Sequence, residues 1–219
     1  MGSLPERLTS VPELDDVLCF PTPALVKAME VLEGDIMVVG AGGKIGPTMA
    51  RTAKRAVDAA GIEKRVLAVD AVDVSFLEAD GIETYRCDLL DLDQVADLPR
   101  VKNIVYMIGR KFGSTGAESL TWGINCIVAY HAARAFQGCR IAGFSTGCVY
   151  PVMHINSGGA TEYTPPAPVG EYAQSCLGRE RMWDFYADKG LLDVIHIRLN
   201  YAVECRYGVL HDIASKVWS

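Results

Sequence analysis

An α/β fold with a doubly wound parallel sheet is predicted by three features of the chain. Short apolar, β-branched runs alternate with longer stretches of helical periodicity, a glycine-spaced turn follows the first apolar run, and the second run ends in an acidic residue. Alternation of this kind places a parallel sheet between layers of helices, with a crossover joining each strand to the next. The 219 residues, 50% of them hydrophobic, suffice for a sizeable core and fit one domain, or one domain plus part of another.

Taken in order, residues 1–34 read as an N-terminal extension. It holds a helix from about Pro23 to Leu32, capped by Thr22 and opened by a proline whose fixed φ suits a first helical turn. Six strand candidates follow: DIMVVG (35–40), RVLAVD (65–70), IETYRC (82–87), KNIVYMIG (102–109), RIAGFS (140–145) and DVIHIRL (193–199). Each is short and apolar, as strands buried on both faces are. The clearest helices between them are 45–60, 117–137 and 171–189, whose apolar residues recur at about 3.6. YTPPAPVG (163–170) is a proline-rich loop before the last of these helices, and YGVLHDIASKVWS begins a further helix. No internal repeat or low-complexity tract interrupts the pattern.

Composition excludes several functions. A net charge of −6 argues against nucleic-acid and anionic-membrane partners, which need clustered Lys and Arg. No apolar run approaches the ~20 residues that span a bilayer. The opening MGSLPERLTSVPELDD lacks the apolar stretch of a secretory signal. The seven cysteines (Cys19, Cys87, Cys126, Cys139, Cys148, Cys176 and Cys205) are odd in number and show no CxxC spacing. Reduced thiols in a cytoplasmic protein are expected, with no metal site.

The stretch VVGAGGKIGPTMA (38–50) carries the binding signal. Gly40, Gly43 and Gly46 sit three apart where a strand gives way to a helix. A tight turn needs one residue of free φ. A second missing side chain lets the backbone approach a pyrophosphate, and a third lets the helix pack on the strand. The helix start adds unpaired N–H groups and partial positive charge. Asp70, ending the second strand, offers a carboxylate to the adenosine ribose hydroxyls and repels a 2′-phosphate. This Rossmann-type arrangement predicts NAD over NADP; the plainer reading of Asp70 is a solvated strand-end residue.

With these motifs in place, residues 35–205 resemble the extended short-chain dehydrogenases/reductases, the NAD-dependent epimerase/dehydratase family. GAGGKIG is similar to the family's cofactor loop, and CDLLD (87–91) resembles the segment that places Asp88 near the adenine amino group and Leu89 on the ring. WGINCIVAYHAARA (122–135) resembles the fourth helix, with Asn125 as its kinking asparagine. FSTGCVYP (144–151) resembles the segment that carries the catalytic hydroxyl, here Thr146. PVGEYAQSCLGRERM (168–182) resembles the Tyr-x-x-x-Lys helix, and RLNYAVECRYG (198–208) the start of the substrate pocket. The resemblance implies catalytic Tyr172, Thr146, Asn125 and Cys176, and a cofactor set of Gly40, Gly43, Lys44, Ile45, Gly46, Asp70, Asp88, Leu89, Ile108, Gly109 and Tyr172. It also implies substrate contacts from Asn200, Thr146 and His154. The Rossmann domain is then 35–200, and 201–219 opens a substrate lobe that is short or truncated, as in a piece of a longer protein.

Departures from the family pattern bear on chemistry. Position 176, where the family has lysine, is Cys176; Pro151 follows Val-Tyr, and Gly147-Cys148 replace the dehydratases' Asp-Glu pair. In the family the tyrosine exchanges a proton with a substrate hydroxyl while hydride passes to or from the nicotinamide, and the lysine lowers the tyrosine pKa. A thiol supplies no positive charge. Three readings of Cys176 stand: a small apolar residue in a protein that binds NAD with little turnover; a reaction sustained by the nicotinamide's charge or another cation; or a nucleophile, for which no nearby base pairs with it.

The remaining candidates are weaker. Lys44 is either a phosphate contact or a solvated lysine, and Glu162 is a weak substrate-contact candidate. His131 and His196 read as core or surface histidines, Asp73 and Asp80 as surface charges, and Trp122 and Tyr130 as packing residues. Two functions follow: an NAD-dependent oxidoreductase, epimerase or dehydratase acting on a hydroxyl or carbonyl of a sugar or nucleotide sugar, or a catalytically weak NAD-binding sensor or scaffold. By resemblance, helices 117–137 and 171–189 form the interface of a homodimer.

Overall fold

The computed structural model describes residues 5–203 and 205–218. Six parallel strands form one sheet: β1 (Ile36–Val39), β2 (Val66–Asp70), β3 (Glu83–Arg86), β4 (Asn103–Tyr106), β5 (Arg140–Thr146) and β6 (Asp193–Leu199), in the order β3-β2-β1-β4-β5-β6. The order reverses beside β1, where it pairs with both β2 and β4, Val39 standing opposite Val69 and Tyr106. Chain direction diverges on either side of such a point, which leaves a crevice beyond the strand ends.

All six predicted strands form, five within the predicted span and the fifth running one residue beyond it, to Thr146. The fourth stops at Tyr106, so residues 107–109 leave the sheet as a loop. Helix α3 (Gly46–Ala59) follows β1, α7 (Glu171–Ala187) precedes β6, and α8 (Val209–Trp218) closes the described chain. The predicted helix 117–137 is α5 (Glu118–Trp122), a π-helical turn over Gly123–Ile127, and α6 (Val128–Ala135). Helix α2 (Pro23–Val31) is capped as expected, the Thr22 hydroxyl accepting from Leu25 N–H at 3.2 Å. Two short helices escape the periodicity reading because local caps carry them. The Ser10 hydroxyl accepts from Glu13 N–H ahead of α1 (Val11–Leu18), and the Asp91 carboxylate caps α4 (Leu92–Ala96).

Two apolar layers flank the sheet. On one face Met37, Leu67, Ile104 and Ile141 pack under α6 and α7, with Trp183 and Phe136 fully buried. On the other, Ile36, Val38, Val66 and Ala68 pack under α3, whose Ala50, Ala53 and Ala56 bring the helix close. The expectation of two buried faces holds for β1 and fails for β6. There Ile195 is 63% exposed and burial alternates along the strand. Among the described residues no helix covers this face of β5 and β6, and an apolar groove runs from Leu25 and Met29 to Val194 and Ile195. No helix is long and apolar enough to cross a membrane among the described residues.

The tightest contact in the core is between β5 and α7. A Cβ on Gly143 would stand 2.0 Å from the Trp183 ring, whose indole N–H donates to Ala129 O at 3.2 Å and whose edge meets Tyr106. We expect Gly143→Ala to cost about 2–3 kcal/mol by overpacking, read as a lower urea midpoint at unchanged slope.

Candidate active site

The site is built around the turn between β1 and α3. Gly40 has φ +90°, and a Cβ there would stand 2.9 Å from Ile108 N, so the loop after β4 lies directly against it. At Gly46 a Cβ would stand 2.4 Å from Ala41 O, so the first turn of α3 presses on the loop it leaves. Asp70 ties the turn to β2: one carboxylate oxygen accepts from Gly42 N–H at 2.8 Å, the other from Val72 N–H at 3.2 Å. Each oxygen keeps acceptor capacity beyond these bonds.

A groove crosses this turn. One part, about 320 Å³, is lined by Gly40, Gly43, Asp70, Asp88, Leu89, Ile108 and Gly109. The other, about 540 Å³, is lined by Gly40, Gly43, Lys44, Ile45, Gly46, Gly109, Thr146, Tyr172 and Asn200. The two share Gly40, Gly43, Met107 and Gly109. Asp88 shapes its own end, its carboxylate accepting from Leu90 N–H at 3.0 Å. Lys44 holds its ammonium 5.0 Å from the centre of the Tyr207 ring.

Thr146 ends β5 and Tyr172 opens α7, and both face the larger part of the groove. Burial pushes the Tyr172 phenol up to about 12, and Cys176 adds to the rise; a hydrogen bond from Thr146 and the Arg179 charge oppose it. The phenol donates to Cys176, which stabilises its protonated form. Cys176 is fully buried and its thiol is raised, by burial first, with Arg179 opposing. A buried, protonated thiol is a poor nucleophile, so the nucleophile reading of Cys176 finds no support in its surroundings.

Two polar clusters hold these elements. Asn125, buried inside the π turn, accepts from Arg110 N–H at 2.8 Å and donates to Arg110 O at 3.2 Å and Ser175 Oγ at 2.8 Å. It thereby fastens the helix to the loop after β4 and to α7. Behind Thr146, Glu180 is fully buried. Ser145 donates to it, and Arg198 pairs with it through Nη2 at 2.7 Å and Nε at 3.1 Å. Arg198 also donates to the Tyr150 hydroxyl at 3.0 Å.

The groove therefore gathers the predicted glycines, Lys44, Ile45, Asp70, Asp88, Leu89, Ile108, Thr146, Tyr172 and Asn200. Asn125 and Cys176 lie beneath its wall. His154 is not brought there: it sits exposed in a turn, its Nδ1 accepting from Asn156 N–H at 3.2 Å and its carbonyl from Ser157. Among the other candidates, His131 bonds Leu89 O, His196 bonds Asp184, Asp80 pairs with Arg51, and Trp122 donates to Glu171. Sequence reasoning missed Arg179, Lys111 and Tyr207, which line the groove. Arg179 had a signal, its seven-residue spacing from Tyr172, which places both on one helix face.

A model of the NAD dependent epimerase/dehydratase family matches residues 36–203. The chain belongs to that family. That family is NAD dependent, and the groove suits a dinucleotide. The turn leaves no room for side chains at Gly40 and Gly46, acidic groups stand at one end, and a buried guanidinium with an unpartnered Nε stands at the other. A search of curated proteins found no match. Among solved structures the fold matches MoeE5 in complex with UDP-glucose and NAD, at 21% identity and TM-score 0.62, over 75% of this chain and 53% of that one. It also matches the UDP-glucuronic acid 4-epimerase of Bacillus cereus in complex with NAD, at 18% identity and TM-score 0.65, over 84% and 63%. A short-chain dehydrogenase/reductase superfamily protein from Agrobacterium tumefaciens with bound NAD matches at 20% identity and TM-score 0.62, over 74% and 48%. The chain thus spans between 48% and 63% of the length of each of these three solved chains.

The Glu180–Arg198 pair sets an acid limit on this family fold. Burial raises the Glu180 pKa, but Arg198 and Ser145 outweigh it and hold the carboxyl below its usual 4.5. The pair's contribution is complete above that value and is lost as pH falls through the lowered one. We expect Glu180→Gln to cost about 3 kcal/mol at neutral pH, by leaving Arg198 without its counter-charge. The deficit should shrink on acidification, as followed by urea titrations at several pH values.

Proposed function

We propose that this chain binds NAD along the groove and oxidises or reduces a hydroxyl or carbonyl carbon of a nucleotide-sugar substrate, with Tyr172 as its acid/base. The observation that carries the reading is the meeting of Tyr172 and Thr146 on one wall of the groove that the glycine turn opens. The nucleotide-sugar class is supported by MoeE5 and the Bacillus cereus epimerase, whose structures share the fold.

Residue roles follow from position. The N–H groups and partial positive charge at the start of α3 suit the pyrophosphate, with Lys44 beside them. Asp70 suits the ribose hydroxyls, and Asp88 and Leu89 the adenine. Ile108 and Gly109 border the path between the two parts of the groove. When bound, NAD takes up or returns the hydride. Thr146 Oγ1 holds the reacting oxygen by hydrogen bond, and Tyr172 Oη takes the hydroxyl proton or gives it back. Asn200 faces the same space and suits a substrate hydroxyl. With the phenol raised to about 12 by burial and by Cys176, Tyr172 is protonated at neutral pH. Hydroxyl oxidation therefore rises as pH increases, while the acid role in carbonyl reduction is served at neutral pH.

A second reading, an NAD-binding sensor or scaffold with little turnover, is favoured by Cys176 in the position of the family's lysine. The two separate on one experiment. The protein is incubated with NAD and a panel of nucleotide sugars, following reduced-nicotinamide absorbance and sugar isomerisation. Activity is expected, and Tyr172→Phe should lower it at least about hundredfold while NAD binding by calorimetry is retained. NAD binding without turnover on any substrate favours the sensor; no binding of NAD overturns both.

The proposal extends to a homodimer in a reducing, cytoplasmic setting. All seven cysteines carry free thiols, and α5, the π turn and α7 present Leu120 and Trp122, Ile127, and Phe185 outward. Light scattering is expected to give twice the chain mass, and Ile127→Glu to halve it; a monomeric mass refutes the dimer.

A further inference from the structure

Helix α7 lacks a lysine at 176 but carries a cation one turn further on. Arg179 is 4% exposed. Its Nη1 donates to Ile108 O at 2.6 Å and its Nη2 to Cys176 Sγ at 3.5 Å. A Cβ on Gly109 would stand 2.7 Å from Nη1, so the bare backbone at the end of the β4 loop is what admits the group. Nε is buried without a hydrogen-bond partner, and among the described residues no carboxylate pairs with Arg179. The adjacent Glu180 is committed to Arg198 and Ser145. A charge removed from water without a counter-charge costs several kcal/mol, a cost usually met where the charge is used.

What lies around it indicates that use. Arg179 lines the groove beside Tyr172. Cys176 lies between them, its sulfur accepting a hydrogen bond from the Tyr172 phenol on one side and from a guanidinium N–H on the other. We propose that Arg179 supplies the positive charge this site needs, acting on Tyr172 from residue 179 across Cys176 where an ammonium at 176 would act directly. This rests on the acid/base reading of Tyr172. Arg179 is then a positioning residue: its charge favours the phenolate, and its bond to Ile108 O holds the loop on which the groove turns. The groups facing Tyr172 are Cys176 and Arg179 on α7, Thr146 on β5 and Lys111 in the loop after β4, whose ammonium is 6.0 Å from the phenol ring centre. Lys111 is exposed to solvent, which screens its charge.

The test reads the Tyr172 phenolate directly. Protein labelled with ζ-13C tyrosine is titrated, the Tyr172 resonance being identified by its loss in Tyr172→Phe. Arg179→Gln keeps a donor for Ile108 O and removes the charge. We expect it to lower the phenolate fraction at a fixed alkaline pH by about tenfold, as for a shift of one unit. Arg179→Lys should keep the fraction near the parent value, and Arg179→Gln combined with Cys176→Lys should restore it. Lys111→Met should leave it unchanged. An unmoved fraction in folded Arg179→Gln, or the whole effect appearing in Lys111→Met, overturns the proposal. If Arg179→Gln does not fold, Gly109→Ala, which crowds the guanidinium out of its place, serves as the reading with the same two outcomes. NAD calorimetry and the Tyr172→Phe assay run alongside. If NAD fails to bind, or Tyr172→Phe stays active, the acid/base reading fails; if both hold and the phenolate does not respond, only the role of Arg179 fails.

Discussion

The structure depends on one steric condition: the chain must turn from β1 into α3 with almost nothing in the way. Gly40 lies against the backbone of the loop after β4, and Gly46 lies against Ala41 of the same turn. Because the backbones meet there, β1 can sit between β2 and β4 with its end open, and α3 can start close above the sheet. The crevice beyond the strand ends follows from that contact. So does the convergence of loops from β2, β3, β4 and β5 on a single groove.

The second half of the sheet is organised differently. Where the β1 end is held open by missing side chains, α7 is held in place by polar ones. Glu180 is anchored to Arg198 on β6 and Ser145 on β5, and Asn125 joins the π turn to Arg110 and to Ser175 on α7. Trp183 fills the space over Gly143. These contacts set the rotation of α7 about its axis, and that rotation turns Tyr172 and Arg179 toward the groove, with Cys176 buried beneath its wall. Buried polar groups of this kind are costly unless fully partnered. Glu180 and Asn125 are partnered; the Arg179 guanidinium is bonded on two nitrogens and left open at the third.

Much of the architecture was legible because its causes are local. Runs such as DIMVVG and RVLAVD are too apolar and too short for anything but interior strands, and β1 and β2 form within them. The spacing of Gly40, Gly43 and Gly46 names a strand-turn-helix without reference to the rest of the chain. The π turn was half legible: Asn125 stood out, but a turn widened by one residue requires the Arg110 backbone as its partner. The exposed face of β6 was not legible, since DVIHIRL reads as a buried strand and only the placement of the helices shows which face they leave uncovered. His154 misled because nearness in sequence to Thr146 does not carry a side chain into the groove.

By itself, then, the order of residues determined the strands, the glycine turn and the acidic strand end at Asp70, since each follows from periodicity, φ freedom or short-range spacing; Thr146 and the tyrosine helix were legible only through their resemblance to the family's segments. Only the tertiary structure decided where charge resides near Tyr172. An arginine seven residues along the helix reaches the site because Gly109, seventy residues earlier in the chain, leaves room for it and the Ile108 carbonyl accepts its hydrogen bond. Long-range packing chooses such partners, and no local pattern encodes them.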